Sequence, residues 1–80
     1  MHELSTAMRI AEEAAARAKN KKVRCVHVEV GFLRDAEEIA SCYELATEGT
    51  PLRGSRISVK RRPLTPTGGR ECVITRVETE

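Results

Sequence analysis

From Leu4 to about Asn20, apolar residues recur at Leu4, Ala7, Met8, Ala11, Ala14, Ala15 and Ala18, the spacing of one helix face. The other face carries Arg9, Glu12, Glu13 and Arg17. Glu3 lies at the positive end of this helix and Lys19, Lys21 and Lys22 at or beyond its negative end, which suits the macrodipole. The period then changes. Between Val23 and Val30, Val26, Val28 and Val30 point one way and Cys25, His27 and Glu29 the other, which predicts a strand with one buried face. Gly31 ends it, and Asp35 followed three residues later by Glu38 resembles a capping box for a second helix running to about Thr47. Ile39, Cys42, Tyr43 and Ala46 form its apolar stripe. Gly49 suits the left-handed residue after that helix, and Pro51 prevents its continuation.

Ile57 and Val59 alternate with Ser58 and Lys60 in a second strand that stops near Pro63. Pro63, Pro66, Gly68 and Gly69 mark a turn region, and Cys72 to Val77 reads as a third strand. The short connection between these last strands favours pairing them antiparallel. The pattern predicts an α+β fold, two helices packed on one face of a three-stranded mixed sheet in the order α-β-α-β-β. A right-handed parallel crossover through the second helix would join the first two strands.

Eighty residues make a single domain, 1–80, and a chain this short buries only about 60% of the surface it exposes when unfolded. With Phe32 and Tyr43 as its aromatics, the core must be built from Val, Ile, Leu and Ala. No aromatic platform exists for stacking bases or sugars. Net charge is +2, too balanced for a dedicated nucleic-acid binder. Arg53, Arg56, Lys60, Arg61 and Arg62 nevertheless fall in an acid-free run, read here as a solvated strand face or docking surface ahead of a nucleic-acid site.

Cys25, Cys42 and Cys72 are widely spaced and form no Cys-x-x-Cys pair, so they read as buried or half-buried thiols in a reducing compartment rather than as a zinc motif. His27 and Glu29 share a strand face and could bind a metal, but a solvated cross-strand role is the plainer reading. No signal peptide or membrane span is apparent, which predicts a cytoplasmic protein. An enzyme is the least favoured class. The sequence has no Ser/His/Asp set, no phosphate-cradling glycine loop and two histidines, one of them at position two.

The opening Met1-His2-Glu3-Leu4-Ser5 resembles the N-terminal signature of the HypA/HybF hydrogenase nickel incorporation family. Val28-Glu29-Val30-Gly31, the segment Tyr43-Glu44-Leu45-Ala46-Thr47-Glu48-Gly49-Thr50-Pro51-Leu52, and Gly69-Arg70-Glu71 follow in the family's order. Two departures stand out. The family carries a zinc module with two Cys-x-x-Cys pairs between the second and third strands, and here that module is absent between about 64 and 70, with only Thr65 to Gly68 in its place. The turn after Gly31 is also shorter, with Phe32-Leu33-Arg34-Asp35.

The chemistry of the first residues agrees with the resemblance. An N-terminal amine, a histidine at position two and the intervening amide nitrogen close fused five- and six-membered chelate rings around one ion. Such nitrogen-rich square-planar sites suit Ni(II) and Cu(II). The resemblance makes Ni(II) the ion, with no zinc expected. It implies the Met1 amine, the His2 imidazole and the amides at His2 and Glu3 as ligands, with the Glu3 side chain tuning or supporting the site. It further implies a metallochaperone-type accessory protein for maturation of a nickel enzyme, a nickel-iron hydrogenase first, with a GTPase accessory protein and the hydrogenase large subunit as partners. A homodimer through an edge strand or an exchanged terminal segment is also expected, because edges exposed by the missing module invite pairing. The competing readings are a nickel-free docking adaptor from the same family and a small basic nucleic-acid-binding module.

Overall fold

In the computed structural model, which describes residues 3–32, 34–62 and 71–80, the chain forms α1 (Glu3–Ala18), β1 (Val23–Val30), α2 (Ala36–Thr47), β2 (Arg56–Arg61) and β3 (Cys72–Thr79). The α+β class and the α-β-α-β-β order match the pattern of the sequence. The turn region from Pro63 to Gly69, including Thr65 to Gly68, lies outside the described residues. Among the described residues, no helix is long and apolar enough to cross a membrane.

β1 supplies the frame. Val26, Val28 and Val30 are fully buried, whereas Cys25, His27 and Glu29 between them are half-buried, as a period of two demands. Both helices pack on the valine face, where Ala7, Ile10, Ala14, Ile39 and Tyr43 join the three valines and Ile74 in one core.

The strand order is β2-β1-β3. β1 runs parallel to β2, with Val26 opposite Ile57 and Val28 opposite Val59, and antiparallel to β3, with Val28 opposite Ile74 and Val30 opposite Cys72. The expected hairpin between the last two strands is therefore corrected: β3 pairs with β1, and β2 and β3 are the two edges. The most apolar strand takes the position with neighbours on both sides, where its N–H and C=O groups can pair with either neighbour, and the charged Arg56–Arg61 strand is left at an edge. β3 also runs on to Thr79, two residues beyond the expected end at Val77.

α1 is rotated relative to its most apolar row. Its buried residues are Glu3, Thr6, Ala7, Ile10, Ala11, Ala14 and Ala18, while Leu4 and Met8 are about half exposed and Ala15 is exposed. The expected face thus shifts by one row, toward small side chains and Ile10, because alanines let the helix backbone lie close to the sheet and to α2. The helix stops where Lys19 and Asn20 adopt left-handed backbone angles, φ 49° and 73°, of which Asn is the more tolerant residue type.

Asp35 caps α2 as the sequence suggests, its side chain accepting from the Glu38 N–H at 3.0 Å. At the other end, Gly49 takes φ 77°, a conformation that costs a side-chain-bearing residue more. Tyr43 anchors α2 to the turn before β2. The Ser55 hydroxyl donates to the Leu52 carbonyl at 2.6 Å, so the Tyr43 hydroxyl, 2.7 Å from Ser55 Oγ, is the donor in that second bond. Burial pushes the Tyr43 phenol above its ordinary value, and it stays protonated as this bond requires.

The β3 edge is covered at two points. Gly31 N–H donates to the Glu71 carbonyl at 2.8 Å, so alternation turns the Cys72 and Ile74 carbonyls away from β1. Arg9 and Arg17 of α1 donate to those carbonyls, at 3.1 and 3.4 Å. Two acceptors that an additional strand would use are thereby occupied.

Ile39→Ala is expected to lower stability by about 2–5 kcal/mol, since a fully buried branched side chain leaves a cavity. Tyr43→Phe is expected to cost about 1 kcal/mol, the net worth of one hydrogen bond. Thermal unfolding followed by circular dichroism measures both, and equal losses would contradict this account of the core.

Candidate metal centre

The candidate nickel site begins at the first turn of α1. Met1 and His2 lie outside the described residues, and Glu3 is the helix's first residue. The Glu3 side chain is only 10% exposed, and both of its carboxylate oxygens are engaged within the fold. Oε1 accepts from the Arg34 guanidinium at 2.9 Å, and Oε2 accepts from the Asp35 backbone N–H at 3.1 Å. The same Arg34 nitrogen donates to Thr6 Oγ1 at 3.1 Å. Because Asp35 is the cap of α2, the carboxylate sits beside the N-termini of both helices, where two positive dipole ends favour its charge. The residue following His2 is thus fastened to the body of the domain.

The three cysteines stand on β1, α2 and β3, and all are free thiols. Cys72 lies opposite Val30 at one end of the β1–β3 ladder, and Cys25 lies opposite Glu78 toward the other. Burial pushes the Cys72 thiol above its ordinary value, which disfavours the thiolate a metal needs. Among the described residues, the three do not gather around a common point.

His27 and Glu29 share a face as expected but turn to different partners. Glu29 accepts from Arg62 at 3.1 Å, and Arg62 is paired as well with Glu71. The His27 ring contacts the Glu78 carboxylate on β3, and Arg76 donates to that carboxylate at 2.7 Å. These contacts, His27 first and then Arg76, hold the Glu78 carboxyl below its usual value. Glu78 is the residue the sequence pattern missed, because the third strand was ended at Val77. A Cys-x-His pair on one strand was the available signal, but its partner stands 51 residues away.

The basic run divides in the same way. Arg61 donates to the Arg34 carbonyl at 3.1 Å and Arg62 is held by two carboxylates, while Arg53, Arg56 and Lys60 are exposed. Among the described residues, the run does not present a continuous phosphate-binding stripe.

The family profile described as hydrogenase/urease nickel incorporation metallochaperone HypA matches residues 1–79. The chain belongs to the HypA family. Among its relatives, the hydrogenase maturation factor HypA of Roseiflexus sp. (strain RS-1) is 42% identical over 71 residues, covering 80% of this chain and 56% of that protein. The HypA of Chloroflexus aurantiacus (strain J-10-fl) is 36% identical over 69 residues, covering 80% and 60%. This HypA-family chain therefore spans a little over half the length of the curated relatives it matches. The solution structure of the Ni metallochaperone HypA from Helicobacter pylori has the same fold, with a TM-score of 0.81 at 17% identity, over 99% of this chain and 97% of that one.

Arg34→Met is expected to lower stability by about 1–3 kcal/mol, because the largely buried Glu3 carboxylate loses its cationic partner. Adding Glu3→Leu to that variant should recover part of the loss, and a double-mutant cycle by chemical denaturation reads the coupling. A second expectation concerns acid. A carboxyl lowered in the folded state stabilises the fold above its unfolded value and loses that contribution as pH falls through the lowered one. Glu78→Gln should therefore lower stability on the neutral side and flatten the profile below the ordinary value of 4.5, so that the two proteins converge as pH falls. Denaturation midpoints across that acid range check it.

Proposed function

We propose that this chain is a nickel-binding accessory protein of the metallochaperone type, serving maturation of a nickel enzyme and performing no catalysis itself. The observation that carries the reading is the family match, which begins at residue 1 and so includes Met1-His2-Glu3. Ni(II) is its cargo. The Met1 amine, the His2 imidazole and the amide nitrogens at His2 and Glu3 would supply in-plane donors, the set that suits this ion. Glu3 has a supporting part in this proposal: its carboxylate is tied to Arg34 and Asp35, so it fixes where the chelate starts.

The relatives' names point to a hydrogenase as the recipient, and the family description extends the choice to urease. We take nickel-iron hydrogenase as the first candidate, with a GTPase accessory protein and the hydrogenase large subunit as partners in the cytoplasm. No resident zinc belongs to this reading, since Cys25, Cys42 and Cys72 sit on three separate elements. Self-association would use the β2 edge, as two β3 carbonyls are already taken by Arg9 and Arg17. The partial coverage of the relatives favours a second reading, a nickel-free adaptor that retains a docking surface.

Calorimetric titration separates the two. The untagged chain should bind one Ni(II), His2→Ala and an N-terminally acetylated form should each bind far more weakly, and binding should weaken as protons compete at lower pH. Equal nickel affinity in all three proteins would eliminate the N-terminal site and leave the adaptor reading in front.

A further inference from the structure

The sheet face turned away from the helices carries a second set of metal-capable side chains. Cys25, His27 and Glu78 each offer one donor atom, and these three atoms lie within 4.8 Å of one another. The register explains the grouping. Cys25 is directly opposite Glu78 across the β1–β3 pair, and His27 is two residues along β1 on the same face. An irregularity in the ladder on either side of this segment, between Val23 and Cys25 and between His27 and Val28, draws the diagonal pair His27 and Glu78 into contact.

We propose that Cys25, His27 and Glu78 form an exchangeable site for a borderline divalent transition-metal ion, separate from the N-terminal chelate. One thiolate, one imidazole and one carboxylate make a mixed donor set that matches Zn(II) and Ni(II) and is too soft for Mg(II) or Ca(II). Donors at about 2.0–2.3 Å from a tetrahedral ion stand about 3.3–3.8 Å apart, so modest side-chain rotation that parts His27 from Glu78 and adjusts Cys25 reaches that spacing. Cys25 and His27 are half-buried and Glu78 is more open, so an ion can enter from solvent and keep at least one position for water or an incoming ligand. On binding, the Cys25 thiol proton goes to solvent. The hydrogen between His27 Nε2 and Glu78 Oε2 exchanges through solvent to Nδ1, so that Nε2 and the carboxylate are both free to coordinate.

The charges around the site keep it weak. Arg76 lies 2.7 Å from Glu78 Oε2 and 3.3 Å from His27 Nε2, and repels an incoming cation. Arg76 is also 66% exposed and swings clear, unlike a guanidinium locked in the core. Arg56 stands opposite Cys25 on β2 and adds a second positive charge, while Ser58 opposite His27 adds none. The balance suits loading and release rather than permanent retention, which agrees with the absence of a resident zinc in the proposed function.

Titration of the full chain with Co(II), under reducing and oxygen-free conditions, tests the site. A sulfur-to-cobalt charge-transfer band should saturate at one ion per chain and persist in His2→Ala, whose N-terminal chelate contains no sulfur. Cys25→Ser should abolish the band, and His27→Ala and Glu78→Gln should each weaken binding on the order of 10-fold or more. Displacement of bound Co(II) by Zn(II) and by Ni(II) then ranks the two ions at this site. Circular dichroism verifies that each variant remains folded, and if one does not, protection of the wild-type Cys25 thiol from alkylation by Zn(II) supplies the same reading. No band in the wild type, a band that survives Cys25→Ser, or unchanged affinity in both His27→Ala and Glu78→Gln would overturn the proposal. None of these outcomes bears on the N-terminal chelate, which is read from His2→Ala and acetylation instead.

Discussion

Val26, Val28 and Val30 are fully buried against two helices, and the strand that carries them has a neighbour on each side. A strand in that position has no choice of register, because a slip of one residue would put Cys25, His27 and Glu29 into the core. Every other feature of the domain is placed relative to it. α1 and α2 lie on the valine face, the charged β2 strand and β3 form the edges, and the polar side chains between the valines meet solvent on the opposite face. A thin core of aliphatic side chains around Tyr43 is enough because the sheet and both helices close on one line of residues.

The two candidate metal positions sit on this frame in different ways. The N-terminal one hangs from the start of α1, where Glu3 is held by a guanidinium from the loop before α2 and by a backbone N–H at the cap of α2. That contact couples the ends of both helices and fixes the position of Glu3. The outer-face position is instead built from strand side chains, whose spacing follows from pleat and register. One site would use backbone nitrogen from the chain terminus, and the other needs the folded sheet. A chain that carries a metal gains from this difference, since the sheet-based site presents sulfur to ions that the nitrogen chelate meets only through amines and amides.

The family relationship extends over nearly the whole chain, yet the chain covers only 56–60% of its curated relatives in Roseiflexus and Chloroflexus. The likeness to the Helicobacter pylori structure at 17% identity is one of fold. The helices and sheet are held by buried aliphatic residues and paired strands within residues 3–80. Among the described residues, these elements and Leu52, in the turn before β2, close the core. This accounts for a recognisable HypA fold in a chain much shorter than those relatives.

The sequence by itself determined the elements and their order. The shift from a helical period to a period of two at Val23, the Asp35 cap with Glu38 three residues on, and Gly49 before Pro51 are local signals, each acting over one turn or one strand. It also offered Met1, His2 and Glu3 for the proposed chelate, because such a donor set is a property of adjacent residues. What it left open depends on contacts between distant residues. The place of β3 beside β1 rather than β2, the row of α1 that is buried, the Glu3–Arg34 pair and the meeting of Cys25, His27 and Glu78 were decided by the tertiary structure. His27 and Glu78 are 51 positions apart, and no periodicity within either strand encodes which residue of the other it will face. That choice belongs to the sheet as a whole, which sets the register by burying three valines and so brings a thiol, an imidazole and a carboxylate together on the face left to solvent.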